Sequence, residues 1–242
     1  MKTLCDFSIT SARHRPRHIW DPGALFQVAR LGAWYDFSDL SVLFQDAAGT
    51  IPVTSDGDPV GCVQDKSGNG HDAVQVTPAA RPTWRTNGSL SWIEFDGVDD
   101  HMVIPAIAYT APMTTCLGLQ RFAEGSWSSF RSAKVIPPYI NTGSATPSST
   151  GAVTNSAGGS DRVDGVVSSY NRQELYTALL TPRVGTAFAN TSTSLHAEGT
   201  FFCYGHIRAS GKVFGYAEWD DANLAEVAQV EHWMAKKTGV VL

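Results

Sequence analysis

Residues 61–100 alternate turn-forming and strand-forming segments at a spacing that suits antiparallel β-sheet and no helical bundle. Residues 65–70 read DKSGNG, a turn of residues that accept positive φ or hydrogen-bond their own backbone. Asn87 and Gly88 separate residues 83–84 from the apolar run 90–95, which predicts a hairpin. Asp96-Gly97-Val98-Asp99-Asp100 closes that run and reopens it into residues 102–104. By period-2 alternation Ile93 and Phe95 face a core, while Glu94 points outward and Trp92 lies outward or beneath a loop.

The 242 residues, 43% apolar and 10% aromatic, suffice for one sizeable core. An arm over 1–19, with the basic cluster Arg13 to His18, precedes a single domain over 20–242. From its residues that arm reads as a solvated extension, or as a weak nucleic-acid contact without interleaved aromatics. Asp21 and Pro22 open a short helix with Leu25, Val28 and Ala29 on one face. Strands are expected over 33–37, 59–64, 114–122, 126–135, 175–180 and 184–189, with a hairpin at Asp164-Gly165 and a loop over 141–160. Asp36 and Asp39 read as backbone caps around Ser38. At the end of the chain Leu224, Val227, Val230, Trp233 and Met234 form an apolar stripe at helical spacing, capped by Asp220 or Asp221. Lys236 and Lys237 complement the dipole of that helix, and Gly239 ends it. The two sheets are expected to enclose Trp34, Ile93, Phe95 and residues 201–207, with Trp233 packed as core.

The motifs DxSGNGxxA, ARPxxR and FDGVDD, in this order, resemble the laminin-G-like, concanavalin-A-like jelly roll of tailed-phage virion proteins. Upstream, Trp20-Asp-Pro22, Trp34-Tyr-Asp36, Leu43-Phe-Gln-Asp46, Gly49-Thr50, Pro52-Val53 and Asp56 to Gly61 match that family's leading run. Residues 201–208 and 222–239 resemble its last strand and closing helix. The resemblance implies an all-β, two-sheet antiparallel jelly-roll sandwich with an N-terminal arm, a short N-terminal helix and a C-terminal α-helix. It implies a virion protein of the tail tip, baseplate or fibre that attaches to neighbouring subunits through the arm. It also implies a homo-oligomer, such as a trimer, that can bind a host-surface glycan or receptor; the alternatives are a glycoside hydrolase of concanavalin-A-like fold and a free-standing carbohydrate-binding lectin module.

The residues that could carry chemistry are few. Glu94, Asp96 and Asp99 superficially follow the E-x-D-x-x-E strand of concanavalin-A-like glucanases. Asp99 is one methylene short, however, and Gly97 breaks the strand, so no catalytic residue and no enzyme is expected. Asp96, Asp99 and Asp100, or Asp56 and Asp58, could offer hard oxygen ligands to a structural calcium; no other cofactor is expected. His14, His18, His71, His101, His196, His206 and His232 lack zinc spacing, and Cys5, Cys62, Cys116 and Cys203 lack ligand or disulfide spacing. Trp127, Tyr139, Tyr170 and Tyr176 are either sugar-stacking aromatics or ordinary packing. The net charge of −5 argues against nucleic acid as a partner. Asp6 interrupts any signal-peptide core, and no run reaches the ~20 apolar residues of a membrane span. Synthesis in a host cytoplasm without a signal peptide or membrane insertion is therefore expected, with the virion as destination.

Overall fold

The computed structural model describes residues 20–109, 112–122, 131–133, 162–168, 170, 172–189, 199–201, 203–204, 207–208 and 210–242. The arm over 1–19, the loop over 141–160, Trp127, Tyr139 and the Tyr176 side chain lie outside the described residues. A 3₁₀ helix, Pro22–Val28, leads into β1 (Gly32–Asp36), β2 (Leu43–Phe44), β3 (Cys62–Val63), β4 (Ala73–Val74), β5 (Thr83–Thr86) and β6 (Ser91–Asp96). There follow β7 (Met102–Ile104), β8 (Met113–Arg121), β9 (Arg131–Ala133), β10 (Arg162–Val163), β11 (Val166–Val167), helix α1 (Arg172–Ala178) and β12 (Arg183–Ala189). The chain closes with β13 (Gly199–Phe201), β14 (Cys203–Tyr204), β15 (Ile207–Arg208), β16 (Ser210–Trp219) and helix α2 (Leu224–Thr238).

The strands form two antiparallel sheets and a small β14–β15 ribbon. One sheet runs β11-β10-β12-β8-β16-β6-β5 with β1 also on β16; the other runs β2-β3-β4-β7-β13-β9. Their facing side chains make one core: Ile93, Phe95, Leu117 and Tyr216 from the first meet Leu43, Val63, Met102 and Ile104 from the second. The protein is thus mostly β, with a sandwich core and a C-terminal helix.

β16 organises the larger sheet. One edge pairs with β8, and the other pairs first with β6 through residues 210–213 and then with β1 through residues 215–219. The register shifts between Val213 and Gly215. This bulge inserts Phe214, so Val213 and Tyr216 both reach the inter-sheet core despite an odd spacing. Phe214 turns outward against Trp92, with ring centroids 5.8 Å apart.

A second core lies on the outer face of that sheet. Trp34, Cys116, Val184, Ala217 and Trp219 pack there under Val227, Val230, Trp233 and Met234 of α2. Each such aliphatic or aromatic side chain contributes about 1.5–3 kcal/mol by leaving water. The helix comes close because Gly215 and Gly118 are direct cross-strand partners beneath it. A Cβ on Gly118 would lie 2.5 Å from Thr238 Cγ2, and one on Gly215 3.0 Å from Met234 Sδ. Glu231 is a buried strut: Arg162 Nε donates to its Oε1 at 2.8 Å, Arg162 Nη2 to its Oε2 at 3.0 Å, and Thr186 Oγ1 to Oε1 at 2.9 Å.

Several expectations are corrected. Trp34 belongs to the helix-side core, because β1 alternates and sends Ala33, Tyr35 and Phe37 inward instead. The last strand before the helix is β16, not residues 201–208. Residues 175–180 hold the end of α1 rather than a strand, since Leu175 and Leu179 share one buried face four residues apart. Asn223, not Asp220 or Asp221, caps α2, accepting from Ala225 N at 3.0 Å, while Asp221 Oδ2 accepts from Arg30. Leu224 is therefore the first helical residue and is 65% exposed, off the stripe. The first helix is 3₁₀, and Ala29 is its left-handed cap, exposed rather than on an apolar face. The strand expected over 59–64 shrinks to β3. The hairpin at Asp164-Gly165 is present, with both turn residues at positive φ (49° and 77°), as a two-residue type I′ turn requires.

If α2 sits on the Gly118–Gly215 pair, Gly118→Ala should lower unfolding free energy in urea by about 1–3 kcal/mol through overpacking. Adding Thr238→Ser, which removes the obstructing methyl, should recover part of that loss. Additive effects of the two changes would contradict this seating.

Candidate functional site

The DKSGNG turn is structural. The buried Asp65 carboxylate accepts from the backbone N–H groups of Trp34, Ser67 and His71 at 2.9–3.0 Å. Asn69 Nδ2 donates to the carbonyls of Arg30 and Gly32, and Lys66 N to that of Trp34. The turn therefore hydrogen-bonds along the edge of β1 that faces away from β16.

The FDGVDD corner gathers three carboxylates. Asp96 Oδ1 accepts from the N–H groups of Val98, Asp99 and Asp100 at 2.7, 3.3 and 3.4 Å, and Asp100 Oδ2 accepts from Asp96 N at 3.0 Å. Carboxylate oxygens of Asp96, Asp99 and Asp100 lie within 4.8 Å of one another, the one such trio among the described residues. A calcium ion would find three of its six to eight oxygens there. The turn's own hydrogen bonds account for the same geometry. Asp56 and Asp58 do not converge: Asp58 caps Thr54 and Ser55, while Asp56 caps Thr86 and meets Arg85. Burial pushes the Asp100 carboxyl up to about 7, and the charges of Asp96 and Asp99 add to the rise, against the Asp96 N–H.

Glu94 and Trp92 do share the outer face of β6. Trp92 Nε1 donates to Glu94 Oε2 at 3.2 Å, Arg85 Nε lies 3.7 Å from Glu94 Oε1, and Asp99 falls beyond the turn. The three carboxylates of the glucanase-like reading are thus not brought into one row. Tyr170 is exposed beside the β10–β11 hairpin.

Among the described residues, two grooves lie along the outward side of α2. One groove of about 340 Å³ is lined by Trp20, Gln229, His232, Trp233 and Lys236. A second of about 290 Å³ shares Trp233 and Lys236 and is completed by Ser38 and Lys237, by Ser89 and Leu90 of the β5–β6 turn, and by Ser91 at the start of β6. Gln229, His232 and Lys236 recur at three- and four-residue spacing, which puts them on one side of the helix. Trp233 forms the floor, with its ring edge-on to Trp34 at 5.8 Å. Lys237 Nζ is 4.9 Å from the Trp233 centroid and donates to both oxygens of Asp36 at 2.9 Å. His232 Nδ1 lies 2.8 Å from the Ala228 carbonyl, which can only accept; Nδ1 therefore carries the hydrogen and Nε2 is left to the groove. Lys236 is exposed and makes no ion pair among the described residues. Sequence reasoning missed this surface because Trp20 and the serines come from distant segments.

The raised Asp100 pKa fixes a sign. The folded state holds a proton that the unfolded chain releases near pH 4, so this group's contribution is fully present below that pH. It is lost as pH rises to about 7. Asp100→Asn, which keeps an acceptor for Asp96 N, should raise the thermal midpoint at pH 8 and leave it nearly unchanged at pH 4. An equal shift at both pH values would contradict the assignment.

No family model, curated protein or solved structure matches the chain.

Proposed function

We propose that this chain is a tailed-phage virion protein of the tail tip, baseplate or fibre, built on a laminin-G-like jelly roll. It acts by binding rather than turnover. The resemblance of its leading motifs supports the family, and the two-sheet core with a closing helix is consistent with that fold. The observation that carries the binding reading is the pair of grooves on α2. Aromatic surface from Trp20 and Trp233 adjoins amide, imidazole, hydroxyl and ammonium groups, the lining that recognises polyhydroxylated ligands such as a host-surface glycan. Residues 1–19 dock the domain on neighbouring virion subunits, and the assembly is a homo-oligomer such as a trimer. No helix among the described residues is long and apolar enough to cross a membrane.

The test is incorporation into particles assembled from the native gene cluster. The full chain should be recovered with tails. The chain lacking residues 1–19 should remain unassembled while keeping the same thermal midpoint. Recovery of both forms would contradict the tether, and recovery of neither would contradict the virion reading.

A further inference from the structure

We infer that the paired groove on α2 binds an anionic saccharide, a sugar chain bearing carboxylate or phosphate, with Lys236 as the partner of the negative group. This rests on the binding reading above and names its ligand class.

The acidic groups around the groove already have cations: Asp36 is held by Lys237, Asp39 by Lys66, and Glu226 by Arg30 at 2.6 Å. Lys237 is thereby neutralised. Lys236 is left at the junction of both grooves with no acidic partner among the described residues, on a chain whose net charge is −5. A charged sugar can add a charge-assisted contact to that exposed ammonium which a neutral one cannot.

The remaining lining selects sugar over an acidic peptide. Ser89 on one side, and Gln229 with His232 Nε2 on the other, present short donors and acceptors suited to hydroxyls, while the Ser38 and Ser91 hydroxyls are engaged with Asp36, Lys237 and Thr86. Trp20 and Trp233 add aromatic surface. The groove offers a helix side and a hairpin turn. Its two halves meet at Lys236, so a chain of sugars can run across the ridge with its charged unit at the centre.

Calorimetry on the full chain would use tetragalacturonate (carboxylate), pentamannose phosphate (phosphate), neutral mannopentaose and tetraglutamate. At least one anionic sugar should bind tenfold or more tightly than mannopentaose, weakening as NaCl is raised. Lys236→Gln, a change at an exposed side chain, should reduce that affinity about tenfold, the loss of one charged contact, without altering the thermal midpoint. Equal binding of neutral and anionic sugars overturns the inference. So does anionic binding insensitive to Lys236→Gln, binding of tetraglutamate as tight as that of the sugars, or failure of both anionic sugars. Particle incorporation is read separately, so the ligand assignment can fail while the virion reading stands.

Discussion

Strand β16 is hydrogen-bonded to three others, and both its faces are buried, one against the second sheet and one against α2. Two local features make this double burial possible. The bulge at Phe214 resets the alternation so that Val213 and Tyr216 fill the same core. Gly215, paired with Gly118, removes side chains where the helix must approach. Neither sheet face could be covered in this way by a regular strand with a side chain at every position.

The groove follows from this seating. With Val227 and Val230 in the helix-side core and Met234 over the glycine pair, Gln229, His232 and Lys236 are left on the outward side. The helix end then abuts the β5–β6 turn, where Gly239 approaches Leu90. Lys237 ties the same end to Asp36 at the close of β1. The buried Glu231, paired with the partly exposed Arg162, ties α2 to β10. Removing the arginine would leave the Glu231 carboxylate buried without its cation, at a cost of about 3–5 kcal/mol, whereas Arg162 is itself partly exposed. These ties hold the helix in one orientation, and the groove walls keep their spacing as a result.

The legible parts of the sequence were those in which local chemistry and tertiary burial agree. Asn87-Gly88 makes its hairpin, Ile93 and Phe95 point inward, and Val227 to Met234 form the helix stripe. β16 was hidden because its bulge breaks the two-residue period, and its glycines look like turn residues rather than a packing surface. Leu175 to Leu180 reads as an apolar run, and only the i, i+4 burial of Leu175 and Leu179 reveals a helix. Trp34 sits on a strand buried on both sides, so alternation alone cannot say which core it joins. The groove was illegible for a different reason: its walls come from residues 20, 38, 89–91 and 229–237, which only the fold brings together.

Native-state hydrogen exchange tests the central place of β16 most directly. Amides of Ser210–Trp219 that bond β8, β6 and β1 should exchange only through global unfolding, with free energies equal to that from denaturant melts. Those of β2 and β3 should exchange earlier, through local opening. Exchange of β16 amides by local opening, while β8 or α2 remains protected, would contradict the account.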